Sequence, residues 1–263
     1  MAGMNIRDHL IHRMVKTNNF HHNIPVYKTE VGSKIVLLYT INIDTVVYET
    51  LEKEISANFY IFATRHQSKS GEKTLSTHIP GNYGNAIFGG KDGELGMASA
   101  LLMKHFFLKL NKFGANSGYR ITLEATHHGP LIRRPVLFIE IGSKKEQWRD
   151  KNAGKIISDT IMESIKTYEG IECEVAIGFG GTHYCPNFNK IELGEKVALS
   201  HICPKYHIDV LNKALIQKMI SSTYEKVDYA LLDWKGLSGA DKQKLLPLLE
   251  ELKIRYKKTK DVK

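Results

Sequence analysis

Ile121-Thr-Leu-Glu-Ala-Thr-His-His-Gly-Pro130 sets the reading of this chain. Ile121, Leu123 and Ala125 alternate with Thr122, Glu124 and Thr126, the period-two pattern of a half-buried strand. Gly129-Pro130 does not extend a central strand, because proline has no N–H to give the ladder. His127 and His128 are therefore expected at the strand's C-terminal edge, and in open α/β sheets ligands bind just outside such edges. A second element of the same construction is Gly178-Phe-Gly-Gly-Thr-His-Tyr184, where the apolar run Val175–Ile177 opens into glycines and then His183. Two strand ends carrying Thr-His read as one site assembled from separate loops.

Outward from these stretches, strand and helix patterns alternate. Ile35–Tyr39, Phe59–Ala63, Pro135–Ile141, Val175–Gly178, Lys196–Leu199 and Tyr229–Leu232 read as further strands. Helical periodicity covers Ile41–Ile55, Glu94–Phe113, Lys144–Tyr168, Ile208–Ile220 and Ala240–Leu252. Gln67–Gly90, rich in Ser, Gly, Asn and Lys, reads as one long loop, and loops of that length are usually functional. The alternation predicts a three-layer α/β/α fold with a mixed, largely parallel sheet. No linker or repeat divides it, so residues 33–263 are expected to form one domain. Residues 1–32 are expected to be an N-terminal extension; Met1–His22 is polar, with four histidines and no signal-peptide core, and reads as a solvated tail.

At 263 residues and 42% hydrophobic content the chain can bury a sizeable core. No apolar run reaches the roughly 18 residues of a membrane span. Cys173, Cys185 and Cys203 are odd in number and form no CxxC pair, which fits a reducing cytoplasm. A net charge of +9 is consistent with an anionic partner. Its basic clusters are Arg133-Arg134, Lys144-Lys145 and the tail Lys253–Lys260, and clusters beside a site would attract a phosphate backbone.

The strand ends and adjoining loops supply His66, His78, Glu124, His127, His128, His183 and His201, with Glu140 nearby in sequence. Imidazole and carboxylate together suit zinc, although no HExxH or compact spacing is present. The candidate ligands are His66, His78, His127, His183, His201 and Glu124. Plainer roles stand beside these. Neighbours in an extended backbone point to opposite sides, so only one of His127 and His128 is expected to face a shared centre. Glu124 has an ion pair with Arg133 or Arg134 as its simpler role, and His183 a backbone-bonded turn. Cys185 is expected to be a spectator, and Gly178, Gly180 and Gly181 lack the lysine of a triphosphate-binding loop.

Taken together, the motifs resemble the archaeal and plant type of D-aminoacyl-tRNA deacylase. They are Thr64-Arg-His66, His78-Ile-Pro-Gly-Asn82, Glu124–Pro130, Phe138-Ile-Glu-Ile-Gly-Ser143 with Trp148, Gly178–Tyr184 with Pro186, and Pro204-Lys-Tyr206. The resemblance runs from about Ser33 to Lys260. It implies a phosphorylase/hydrolase-like fold, similar to peptidyl-tRNA hydrolases and nucleoside phosphorylases. It also implies hydrolysis of the ester joining a D-amino acid to tRNA, a step of translation quality control, and two zinc ions per subunit with no ligands assigned. The expected catalytic group is His127, His128, His183, Glu124, Thr126 and Thr182, with the Gly180-Gly181 turn, Thr126 or Thr182 facing the oxyanion. Arg65, His78, Asn82, Gly180, Gly181, Tyr184, Arg133 and Arg134 are expected to bind substrate. The partner is tRNA, with no membrane and no obligate protein partner. Two other readings stay open: a zinc amidase or peptidase on a similar sheet, and a tRNA-binding module without catalysis.

Overall fold

Successive residues of the apolar runs enter different cores, and this sets the layers. The computed structural model describes residues 1–194 and 196–262. In chain order the elements are α1 (Ala2–Ile11), β1 (Val15–His21), β2 (Ile24–Val31), β3 (Lys34–Leu38), α2 (Leu51–Glu54), β4 (Tyr60–Arg65), β5 (Thr74–His78), α3 (Ala100–Gly114), β6 (Arg120–Leu123) and β7 (Val136–Gly142). There follow α4 (Lys145–Arg149), α5 (Lys151–Thr167), β8 (Glu174–Phe179), α6 (Pro186–Glu192), β9 (Val197–Cys203), α7 (Lys213–Ser221), β10 (Tyr229–Leu232), α8 (Gly239–Glu251) and β11 (Tyr256–Lys258).

Strands β11-β10-β8-β9 form an all-parallel sheet. Ala176, Tyr229 and Leu231 pack with Phe106, Ile157 and Ile161 of α3 and α5, while Ile177, Phe179, Ala230 and Leu232 pack with Ile216, Met219, Leu245 and Leu249 of α7 and α8. Burial on both faces is what makes parallel strands read as continuous apolar runs. Strands β4-β7-β5-β6 form a second sheet, mixed because β5 runs antiparallel to β7. Strands β1-β2-β3 form a third, antiparallel one.

The protein is thus mixed α/β, but the strands do not lie in the single sheet expected. The reason is visible at the end of β6. Leu123 N donates to the Asn189 side chain of α6 at 2.8 Å. The chain then crosses over: Ala125 N donates to His183 O at 2.8 Å and Thr126 N to Ile202 O at 3.0 Å. Glu124–Thr126 therefore joins the two four-stranded sheets, and the ends of β4, β6, β8 and β9 meet there.

Other differences have local causes. Thr74-Leu-Ser-Thr-His78, read as loop for its polar composition, is fully buried between β7 and β6. Ile41–Ile55 holds only a 3-10 turn and the short α2, its carboxylates being engaged elsewhere: Glu49 accepts from Gly90 N and Leu131 N, and Glu52 from Arg133 N. Asp150 splits the expected Lys144–Tyr168 helix by capping α5, accepting from Asn152 N and Ala153 N. Met1–His22 is not a solvated tail throughout. Ala2, Ile6 and Leu10 of α1 join the core, and Asn5 donates to Trp148 O and Asp150 O.

Behind the site, Glu192 is fully buried at the end of α6. Burial pushes its carboxyl from 4.5 up to about 8, against the opposing Lys104 charge and the bond from Leu199 N. The folded-state value lies above the unfolded one, so this group's contribution to stability is fully present below the unfolded value and is lost as pH rises through about 8. The loss is roughly 4–5 kcal/mol across that window. Unfolding free energies between roughly pH 5 and 8 should fall less steeply with pH in Glu192→Gln than in wild type. Parallel slopes would show that Glu192 is ionised in the fold.

Candidate active site

The chemistry-bearing residues converge where β6 leaves its sheet. His66 follows β4, His78 ends β5, Glu140 lies on β7, and His183 follows β8. Glu124 is the hub. Its Oε2 lies 3.0 Å from His183 Nε2, 3.2 Å from His66 Nδ1 and 3.5 Å from His127 Nε2. Glu140 Oε2 lies 3.7 Å from His66 Nδ1 and 3.5 Å from His78 Nε2. Glu124, Glu140, His66 and His78 are buried, whereas His127, His128 and His183 are half-buried at the mouth.

Both His127 and His128 face the centre, contrary to expectation. Their rings lie 4.3 Å apart and sit 4.3 and 4.8 Å from the ring of His78. His128 has φ +48°, and this left-handed residue breaks the alternation of side chains along an extended backbone. The turn is packed tightly: a Cβ on Gly129 would lie 2.2 Å from Gly90 N and 2.4 Å from Val46 O.

The electrostatics divide the carboxylates. Burial alone would raise the Glu124 carboxyl, but hydrogen bonds from His183 and His66 and the charge on His66 hold it well below the usual range. Glu140 is pushed well above that range by burial and then by the negative charge of Glu124. Burial, with the neighbouring imidazoles, holds His78 and His127 well below the ordinary histidine value, and burial also lowers His128. His66 goes the other way: burial lowers it, but the hydrogen bond and charge of Glu124 outweigh that. The result is an ionised carboxylate beside three imidazoles, His78, His127 and His128, that are held neutral with lone pairs to offer.

This donor set fits a metal ion. Three groups of donors each lie within 4.8 Å of one another: His78, His127 and His128; His66, Glu124 and His183; and His78, Glu124 and Glu140. Neither ring nitrogen of His78 nor Oε1 of Glu124 meets a hydrogen-bond partner, although all three atoms are buried. Buried polar atoms without partners are costly, and nitrogen and oxygen donors of this kind satisfy a borderline divalent cation.

Several expected residues take other positions. His201 is outside the cluster; its Nε2 lies 3.1 Å from Ser222 O and burial lowers it to about 4. Thr126 Oγ1 accepts from Ile202 N and lies 3.4 Å from His201 Nδ1, so it faces β9. Gly180 N is already bonded to Cys203 O, at 2.8 Å. Asn82 Nδ2 donates to Gly89 O and holds that loop beside Gly129. His78 is fully buried beneath His127 and His128. Glu124 takes neither Arg133 nor Arg134 as partner; Arg133 lies 3.8 Å from Glu94. Tyr184 does reach the cluster, its hydroxyl 3.0 Å from His66 Nε2. Arg65, Arg133, Arg134 and Thr182 are exposed, with the Arg65 guanidinium over the Trp148 ring at 5.6 Å. Cys185 is buried and its thiol donates to Thr182 O and His183 O, which fits a spectator.

Sequence reasoning gave no role to Tyr206, quoted only within a motif, whose hydroxyl lies 3.4 Å from His183 Nδ1, nor to Asp233, which is buried against the Gly180-Gly181 turn and accepts from Asn187. Both sit in motifs or strand ends that flank the glycines, which was their only signal.

Known proteins are similar to nearly the whole of this chain. A relative from Thermococcus onnurineus, named D-aminoacyl-tRNA deacylase, is 40% identical over 97% of this chain and 95% of its own. One of the same name from Archaeoglobus fulgidus is 32% identical over 100% of this chain and 94% of its own. The crystal structure of a conserved protein of unknown function superposes with a TM-score of 0.88 at 29% identity, over 99% of this chain and 92% of that one. The profile of the D-aminoacyl-tRNA deacylase family spans residues 53–257 and so takes in every histidine of the cluster. On that span and those identities, the chain belongs to the D-aminoacyl-tRNA deacylase family.

Proposed function

We propose that this protein hydrolyses the ester bond of D-aminoacyl-tRNA, releasing the D-amino acid and free tRNA, in the cleft centred on Glu124. The observation that carries the reading is the convergence of four strand ends on one buried carboxylate, in a chain that belongs to the deacylase family. Glu124 orients the His183 ring through Nε2 and leaves Nδ1 toward the mouth, beside the Tyr206 hydroxyl. That is the carboxylate–imidazole relation of an oriented general base, and it suits removal of a proton from an attacking water. His127 and His128 supply neutral imidazoles beside that base, the His127 ring standing 4.7 Å from that of His183. Zinc is the metal that the donor set suits: His66, His78, His127, Glu124 and Glu140 would hold it, and it would lower the pKa of a coordinated water to about 7, while His183 keeps its free nitrogen for the proton. Arg65, Tyr184, Thr182, Arg133 and Arg134 would meet the substrate. The cytoplasm, where aminoacylated tRNA is used, is the site of action in this reading. The joined four-stranded sheets take the place of the one mixed sheet of a phosphorylase/hydrolase-like layout.

The test is release of labelled amino acid from D- and L-aminoacyl-tRNA by the purified protein. Turnover of the D-ester with the L-ester spared is expected. Binding of tRNA without turnover, or cleavage of peptides in its place, would overturn the assignment.

Binding should also be electrostatic. Neutralising Arg133 and Arg134 together with Lys253, Lys258 and Lys260 should weaken tRNA affinity and make it less steeply dependent on salt. The log–log slope should fall by about 0.7–0.9 for each phosphate that the variant no longer neutralises. An unchanged slope would place the tRNA on another face.

A further inference from the structure

A second group of side chains with metal-ligand atoms lies at the N-terminal hairpin and shares no residue with the central cluster. His21 ends β1 and His22 opens the turn to β2, while Glu54 ends α2. Adjacent residues leaving a strand ordinarily diverge, yet these two imidazoles stack at 4.2 Å with 16° between their planes. His22 and Asn23 have φ of +48° and +63°, and this left-handed pair turns both rings to one side. Glu54 Oε2 lies 2.9 Å from His22 Nε2 and 3.6 Å from His21 Nε2. One donor atom from each of the three residues falls within 4.8 Å of the others.

The surroundings hold these donors in place. Tyr48, buried in the core, donates its hydroxyl to Glu54 Oε2 at 2.7 Å and stands 2.8 Å from His21 Nε2. Thr50 Oγ1 donates to the other Glu54 oxygen, and the ring of Tyr39 meets His21 edge-on. Partners of this kind, fixing the orientation of ligands from outside, are the usual accompaniment of a metal site. His22 and Glu54 remain partly exposed, which leaves an entry path and room for water as a further ligand.

We infer that His21, His22 and Glu54 form a second site for a borderline divalent cation of the zinc class. Two imidazoles, a carboxylate and water make up a four-coordinate set suited to that ion. The cation takes the place of the protons that the two imidazoles share with Glu54 and Tyr48, as metal binding requires deprotonated ligands. Its position gives it a structural task. It ties the β1–β2 hairpin to the segment whose Glu49 and Glu52 hold Gly90, Leu131 and Arg133, the backbone flanking His128.

The experiment uses the demetallated full-length chain, titrated with zinc against a chromogenic chelator, and with cobalt(II) as a visible-absorbing probe. The double variant His21→Asn, His22→Asn keeps residues that tolerate the left-handed turn. It should bind one zinc fewer per chain than wild type and lose the matching share of cobalt absorption. Glu54→Gln, the milder change, should weaken that zinc by at least about 10-fold. Thermal midpoints of the metal-free proteins establish that both variants are folded. Wild-type stoichiometry and affinity in both variants would overturn the assignment and leave the group as a hydrogen-bonded clasp.

Discussion

Replacing Glu124 with glutamine is expected to slow hydrolysis of D-aminoacyl-tRNA by about 10³-fold, within the 10²–10⁴ range that a positioned acid–base group supplies. One carboxylate oxygen serves His183, His66 and His127 at 3.0, 3.2 and 3.5 Å. A glutamine amide has one accepting oxygen and no charge, so it cannot compensate three imidazoles at once. Its amide nitrogen turns the other edge of the site from acceptor to donor. His183 then loses the partner that fixes its ring, and the donor set loses its only low-lying carboxylate. The volume is unchanged, so the variant should remain folded at the assay temperature, which a thermal melt checks. Single-turnover deacylation measures the effect. A rate within ten-fold of wild type would remove Glu124 from the centre of the mechanism.

Replacing Lys104 with methionine should cost about 3–5 kcal/mol of stability, as expected when one side of a buried charged interaction is removed. Lys104 is 1% exposed, and its ammonium donates to Glu192 O, Gly194 O and Val197 O. The first carbonyl belongs to the last residue of α6 and the second lies just beyond its cap, where a cation also offsets the helix dipole. Methionine fills similar space but leaves three acceptors without a donor, each costing roughly 1–3 kcal/mol when buried. The midpoint of thermal unfolding should drop by on the order of 10 °C. Because α6 carries Asn189, which holds β6 and Tyr184 together, activity should fall at temperatures where the variant is still folded. A stability change below about 1 kcal/mol would mean that water reaches these carbonyls.

Local chemistry was enough to mark the two halves of the site. The alternation of Ile121–Thr126, its stop at Gly129-Pro130 and the glycines before His183 showed where the strands end, because side-chain period and backbone breakers act within a few residues. The helices were legible for the same reason, in type if not in boundary. The apolar stripe of α3 was plain, but its start at Ala100 follows from the Ser99 side chain capping Leu102 N.

Interactions between residues far apart in the chain left no such trace. Nothing in Thr74-Leu-Ser-Thr-His78 distinguishes a buried central strand from a polar loop; its burial comes from β6 and β7 on either side. Lys104 reads as a solvated helix residue until α6 brings three carbonyls to it. His201 and His66 look alike in sequence, yet one bonds to Ser222 and Thr126 and the other joins Glu124. The N-terminal histidines carried no signal, since left-handed φ at His22 is what stacks them. The α/β class, the family resemblance and the strand ends that bear histidine could all be read from neighbouring residues, since each depends on short stretches of chain. The division of the strands into three sheets, the place of Glu124 as hub and the choice of histidines around it came from the folded chain alone. Those outcomes depend on backbone bonds such as Ala125 N to His183 O, which join segments about sixty residues apart.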